Sequence, residues 1–466
     1  MAPRPAFTAE AYLRGLARFG WQLGLERIAA LLAGLGHPER SVVAVQVVGT
    51  NGKGSTAAML ATVLAAAGYR TGLYTSPHLE SYRERFVILE QCGGKGSPGL
   101  ARLRRRMIPG RRLAELLEEV AAIAREVGRG PAGTPTEFEV LTAAAARWFS
   151  AERVDLAVLE AGLGGRLDAT TALPAVLAVI THVDLDHTDR LGATLAEIAA
   201  EKAAIIRPGR TVVVAPQTAE AWAVVVRRAA ERGAPLLPVG EATDLTAPAR
   251  YAVEEVAWHH TSFTYYPPDG VPLRGIRTAL LGRHQAANAA AAVTAALALR
   301  REGFSVSEEA IRRGLAVVRW PGRLEVLRRR PLLVVDGAHN PDGLRRLVEA
   351  WRELAPGRKP LVVCGFLQDK PVAEMVKILA ELADEVIATR PASDRAAAPE
   401  EVAGEFTRRG VAAVVADDPE EAARLALARP AVQAGAPVLG CGSLYLVGSL
   451  RRVWRARAGW RRRDRP

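Results

Sequence analysis

Gly49-Thr50-Asn51-Gly52-Lys53-Gly54-Ser55-Thr56 is the stretch from which the rest of the chain can be read. A short β-branched run, VVAVQVV, precedes it at residues 42–48, and residues 57–67 have a composition that strongly favours helix. Strand, glycine loop and helix in that order place residues 49–56 where a phosphate cradle must sit. The glycines let backbone N–H groups approach phosphate oxygens, and the helix dipole and Lys53 favour the negative charge. The usual P-loop spacing of four residues between glycines is absent, so the reading rests on the setting and on a lysine with two hydroxyls. Nucleotide binding through residues 49–56 is the expectation.

Outward from the loop, strand patterns near 71–74, 155–159, 175–181 and 211–214 alternate with helical stretches near 112–127 and 135–149. Such alternation predicts an α/β fold, a mostly parallel sheet with helices on both faces. Residues 250–282 turn aromatic and β-branched around Pro267-Pro268-Asp269-Gly270, the signature of a small antiparallel patch. Helix returns at 284–301. After Trp320-Pro321-Gly322 the alternation restarts, with strands near 332–335, 361–364, 385–388, 412–415 and 438–440. The division is therefore residues 1–319, an N-terminal P-loop ATPase domain, and residues 320–466, a smaller Rossmann-like α/β domain.

Bulk composition is compatible with this. At 466 residues, 49% hydrophobic and 24% charged, the chain is long enough for two or three cores. It contains neither an apolar run of about 18 residues nor an export signal at MAPRPAFTAE, which predicts a cytoplasmic protein without a membrane partner. Cys92, Cys364 and Cys441 are scattered and argue against a disulfide framework or structural zinc. The net charge of +12 is local: residues 91–112 and the tail 451–466 each carry +7, and the remainder is close to neutral. The two segments read as a solvated loop insert and a solvated tail, not as a nucleic-acid face.

Two further residues belong with the loop. Glu160 ends the strand at 155–159 and His187 follows the strand at 175–181, so in a parallel sheet both emerge at the carboxyl edge beside the phosphates. A carboxylate, an imidazole and a hydroxyl next to a nucleotide are plausible ligands of a divalent cation.

The spelling GTNGKGS, with Thr75-Ser76-Pro77-His78-Leu79, Glu84-Arg85-Phe86 and Thr136-Glu137-Phe138-Glu139, resembles the folylpolyglutamate synthase/dihydrofolate synthase family of the Mur ligases. The resemblance continues through residues 159–170 (LEAGLGGRLDAT), 184–188 (DLDHT), 198–203 (IAAEKA), 284–288 (HQAAN), 320–325 (WPGRLE), 336–341 (DGAHNP) and 442–445 (GSLY). It implies an ATP-dependent ligase that joins L-glutamate to dihydropteroate or tetrahydrofolate derivatives through an acyl phosphate, acting as a monomer. It implies two Mg2+ sites, Ser76 with Glu160 and Glu160 with His187, and a carbamylated Lys202 as a further metal ligand; K+ is an additional candidate ion. Asn288, Arg323 and Asp336 would hold the ATP base, phosphates and ribose region. Lys53, Glu160, His187, Lys202 and His339 are the implied catalytic set, with the DGAHNP stretch equally readable as a helix cap. Leu25, Arg27, Thr136, Leu167, Asp168 and Ala169 would face the pterin-bearing acid, although Leu25 and Arg27 also fit ordinary helix packing and surface charge.

Gln46, Thr171 and Ala204 depart from the family's usual residues without removing a proposed phosphate or metal ligand. Two rivals remain at this stage: a cell-wall precursor ligase of the same superfamily, and an NTPase stimulated by nucleic acid, which would show steep salt dependence.

Overall fold

The computed structural model describes residues 8–17, 20, 22–92 and 102–457. Two sheets organise them. The first runs in the order β11-β10-β9-β8-β7-β6-β1-β5-β2-β3-β4. Its strands are β1 (Ala44–Val48), β2 (Thr71–Tyr74), β3 (Phe86–Cys92), β4 (Arg102–Met107), β5 (Leu156–Glu160), β6 (Ala175–Ile180), β7 (Val212–Val214), β8 (Leu236–Glu241), β9 (Ala249–Ala257), β10 (His260–Tyr266) and β11 (Leu273–Thr278). The stretch from β9 to β2 is parallel throughout, and an antiparallel ribbon closes each edge.

This is the α/β architecture expected, the antiparallel patch included. The antiparallel patch at 250–282 is part of the main sheet, and a second ribbon, β3 with β4, occupies the opposite edge. Its strand β4 lies inside the basic segment read as a solvated loop, which corrects that reading for the described part; residues 93–101 of the segment fall outside the described residues. Arg104 is paired with Glu90 and Arg106 with Glu152, while Leu103 and Met107 pack on the core, so period-2 alternation was hidden by the run of arginines.

The central strands are buried on both faces, as parallel strands under helices must be. One face carries the helices Lys53–Ala66, Arg283–Ala298 and Glu308–Val317. Their alanines and glycines permit close approach: a Cβ on Gly314 would lie 2.6 Å from Val63 Cα. The other face carries Glu26–Gly34, Gly110–Val127 and Glu137–Ala151 around Trp148 and Phe149.

The second sheet, β12-β13-β17-β14-β15-β16, comprises β12 (Glu325–Arg329), β13 (Leu332–Val335), β14 (Leu361–Cys364), β15 (Glu385–Thr389), β16 (Ala412–Ala416) and β17 (Val438–Cys441). Only β12 runs antiparallel. The helix Leu444–Arg457 packs beneath it, which corrects the solvated-tail reading for the described part. Arg451 is 4% exposed and ion-paired with Glu325 and Glu80, and Arg455 joins the same carboxylates. Residues 458–466 of that tail lie outside the described residues. No described helix is long and apolar enough to cross a membrane, and the three cysteines are free thiols.

Candidate active site

Parallel pairing of β1 with β5, and of β5 with β2, brings three strand ends together: Val47 is opposite Glu160, and Tyr74 is opposite Leu159. The chain leaving β1 becomes the glycine loop, β5 ends on Glu160, and Ser76 follows β2 and donates its N–H to Glu160 Oε2 at 3.1 Å. All three open into one cavity of about 980 Å³ that reaches across to the second domain.

The loop is shaped by its glycines. Gly52 has φ +90°, and a Cβ there would lie 2.4 Å from Asn288 Oδ1; one on Gly54 would lie 2.5 Å from the Trp320 ring. Thr50 N and Asn51 N donate to His182 O at 2.8 and 3.2 Å, fastening the loop to the segment after β6. Lys53 Nζ donates to Gly49 O and Thr50 O at 2.9 and 3.0 Å, and burial lowers its pKa against the pull of Glu160.

Burial dominates the charges around it. Glu160 is pushed up to about 7 by burial, with Lys53 as the main opposing influence. Lys202 is brought down to about 7 by burial and then by Lys53, and its Nζ donates to Gly49 O at 3.0 Å. It is 3% exposed, on the buried side of the helix Leu195–Ala203. His187, at φ +51°, is kept below its usual value by burial, and His339 falls to about 4 for the same reason while its Nδ1 bonds Gly337 O at 2.8 Å. His339 is thus neutral at physiological pH, with Nδ1–H donating and Nε2 left with a lone pair.

Residues 49–55, Ser76, Thr136, Glu160, 167–169, His187, Lys202, Asn288, Arg323, Asp336 and His339 all line the cavity. Thr56, Leu25 and Arg27 do not. Thr56 is buried one turn into the loop helix, and Leu25 packs against the helical layer of Glu26–Gly34. Arg27, 8% exposed, is no surface charge: its Nε lies 3.0 Å from both oxygens of Glu139. Asp168 spends its oxygens on Gly162 N, Leu163 N, Thr170 N and Thr170 Oγ1, which makes it the organiser of its own loop. Asp336 similarly accepts from Leu324 N and Ala338 N, both at 2.8 Å. Within DGAHNP, Asn340 is the N-cap of the helix Pro341–Leu354, accepting from Gly343 N at 2.8 Å.

Sequence reasoning missed the contacts that join the domains. Lys370 pairs with Asp186, Asn340 Nδ2 donates to Asp186 Oδ2 at 3.0 Å, and Asn51 Nδ2 donates to Asp342 Oδ2 at 2.8 Å. Near these, His182, Asp184 and Asp342 bring ligand atoms within 4.8 Å of one another, the one such His/Cys/Asp/Glu group among the described residues. Asp186 stood inside a quoted motif, but nothing in sequence indicated a lysine far along the chain as its partner. Arg85, Glu137 and Phe138, also in quoted motifs, line the cavity as well.

Two family descriptions match the chain: the Mur ligase middle domain over residues 112–296 and the Mur ligase glutamate ligase domain over residues 322–444. A dihydrofolate synthase/folylpolyglutamate synthase of Bacillus subtilis is 36% identical over 378 residues, 80% of this chain and 83% of that protein. A probable bifunctional folylpolyglutamate synthase/dihydropteroate synthase of Haloferax volcanii is 38% identical over 95% of this chain, which spans 50% of that longer protein. Among solved structures, a Mycobacterium tuberculosis folylpolyglutamate synthase complexed with ADP superposes with TM-score 0.84 at 29% identity, covering 95% of this chain and 98% of that one. An Escherichia coli FolC in complex with DHPP and ADP gives 0.81 at 30% identity, covering 98% and 100%.

Proposed function

Because the chain belongs to the folylpolyglutamate synthase/dihydrofolate synthase family of the Mur ligases, we propose that it is an ATP-dependent ligase adding L-glutamate to a folate-type carboxylate, dihydropteroate or a tetrahydrofolate derivative. One observation carries this reading: the glycine loop, Ser76, Glu160, His187 and Lys202 share a single cavity with the Thr136–Phe138 wall and with Ser443 and Tyr445 of the second domain.

A carboxylate does not condense with an amine in water, because hydroxide is a poor leaving group. In the proposed sequence an oxygen of the acid attacks the γ-phosphorus of ATP and ADP departs. The α-amine of glutamate then attacks the carbonyl carbon of the acyl phosphate, phosphate leaves with the C–O bonding pair, and the nitrogen loses a proton. The loop N–H groups and Lys53 bind and orient the phosphates, Arg323 meets the transferred group, and Asn288 and Asp336 border the base and ribose region. Closure of the second domain keeps water from the acyl phosphate. His339, neutral and with its one N–H spent on Gly337 O, brings no positive charge to the phosphates, and its Nε2 lone pair can only accept, from an N–H or O–H donor.

The donor set suits magnesium: Glu160 is a carboxyl whose ionisation burial opposes and which a cation would favour, and the Ser76 hydroxyl and His187 imidazole face the same cavity. Lys202, with a pKa near 7, has the neutral amine needed to take up CO2 and become carboxylate-like. Magnesium held by Ser76 and Glu160, and by Glu160, His187 and modified Lys202, would supply charge neutralisation at the phosphates; K+ is a further candidate. The reading divides the chain at 319/320, and takes the enzyme as a cytoplasmic monomer with small-molecule partners alone. Purified protein given ATP, magnesium and labelled glutamate, with dihydropteroate and tetrahydrofolate offered separately, should form labelled product. A Glu160→Ala variant as active as wild type would remove the metal assignment.

A further inference from the structure

Arg27 lines no part of the cavity, yet it ties together two of its walls. Its Nε sits 3.0 Å from Glu139 Oε1 and 3.0 Å from Oε2, and its Nη2 donates to Gln22 O at 2.8 Å. Glu139 Oε2 in turn accepts from Thr136 N at 2.7 Å and Thr136 Oγ1 at 3.0 Å. One ion pair, with side chains 10% and 4% exposed, therefore grips the strip ahead of the helix Glu26–Gly34 and the first turn of the helix Glu137–Ala151.

Each strip presents an apolar side chain to the cavity. Leu23 is 56% exposed and lines it from one side, and Phe138 lines it from the other. The first strip lies beside the guanidinium: a Cβ on Gly24, with φ +142°, would sit in ordinary contact with Arg27 Nη2 at 3.6 Å, besides meeting Glu26 Oε2 at 2.6 Å. Thr136 and Glu139 already complete a reciprocal capping box without help. What Arg27 adds is the link across 112 residues of sequence. A buried ion pair is a poor device for stability alone, but it fixes geometry, since each partner demands the other in one orientation.

We infer that Arg27 and Glu139 are a positioning pair for the acid substrate. They set Leu23 against Phe138 and Thr136, the walls between which a flat heteroaromatic acid enters, and are not its ligands, because the Glu139 oxygens are already bonded. This rests on the folate-ligase reading.

Steady-state kinetics on the full chain test it. Glu139→Gln keeps the shape and removes the charge; it should raise KM for the folate acid about tenfold, with kcat within about threefold and KM for ATP within about twofold. Arg27→Met should match it, Arg27→Lys should fall between, and the Arg27→Met/Glu139→Gln double variant should be no worse than the poorer single one. An unchanged acid KM in folded Glu139→Gln, additive effects, or an ATP KM rising in step would overturn the proposal. Should the buried variants fail to fold, Leu23→Ser, at an exposed position, must still raise the acid KM; an unchanged value overturns the proposal. Wild-type protein that binds neither dihydropteroate nor tetrahydrofolate with ADP present sinks the folate reading and this pair's role together. Wild-type binding equalled by Glu139→Gln sinks the pair's role alone.

Discussion

Lys370 Nζ of the second domain donates to Asp186 Oδ1 of the first at 2.6 Å, with both side chains at most 10% exposed, one residue before His187. Lys370 holds the Asp186 carboxyl well below the usual carboxylate range although burial opposes it. Removing the lysine leaves a buried charge unpaired, which costs about 3–5 kcal/mol in comparable settings. Lys370→Met should therefore loosen the domains, read as a larger radius of gyration and faster proteolysis around the 319/320 division. Asp186→Asn added to it should restore part of the loss. The Asp186 value is depressed, so its contribution is complete above the ordinary carboxylate pKa and is lost as pH falls toward the depressed one. The wild-type advantage over the double variant should shrink in acid.

Glu160 and Lys202, each near 7, predict a pH profile. On the roles proposed, magnesium binding needs ionised Glu160 and carbamylation needs neutral Lys202, so both demand proton loss. Turnover at limiting ATP should rise between about pH 6 and about pH 8, and added bicarbonate should help most at the lower end. The raised Glu160 value gives the metal-free protein a stability contribution that is present at low pH and lost as pH rises through about 7. Magnesium with ADP should therefore raise the melting temperature more at pH 8 than at pH 6, roughly. Glu160→Gln should shrink that difference.

Gly52 and Gly68 both have positive φ, +90° and +101°, but a Cβ meets Asn288 Oδ1 at 2.4 Å only at Gly52, while nothing lies within 4 Å of one at Gly68. Gly68→Ala should cost about 1 kcal/mol of stability through backbone strain and leave ATP affinity intact. Gly52→Ala should weaken ATP binding by about tenfold or more, measured by titration calorimetry, because the loop must move off its N–H geometry.

Arg451 and Arg452 are adjacent in the basic tail yet differ in setting: Arg451 is buried between Glu80 and Glu325, and Arg452 is exposed. Arg451→Ala should lower stability by about 1–3 kcal/mol, since Arg455 still pairs both carboxylates, and Arg452→Ala by less than about 0.5 kcal/mol. Chemical denaturation of the two variants decides.

The β1–loop–helix unit, the parallel alternation and the restart after residue 320 were legible because local sequence controls them: β-branched runs, glycines and alanine-rich helices. Glu160 and Lys53 were legible as members of one sheet edge because parallel strands send their carboxyl ends the same way. The ribbon β3–β4 was not, since its arginines conceal the alternation by burying their stems and pairing their heads.

By itself the sequence determined the family, the two α/β sheets and the glycine loop between β1 and its helix, because spacing within an element survives translation into backbone geometry. Only the tertiary structure decided which charges are free. Arg27, Lys202, Arg451 and Lys370 look alike in a string of letters, but each is buried and bonded to a group remote in the chain: Glu139, Gly49 O, Glu80 with Glu325, and Asp186. The energy of a charge depends on solvent and neighbours, and neither is written at the residue's own position.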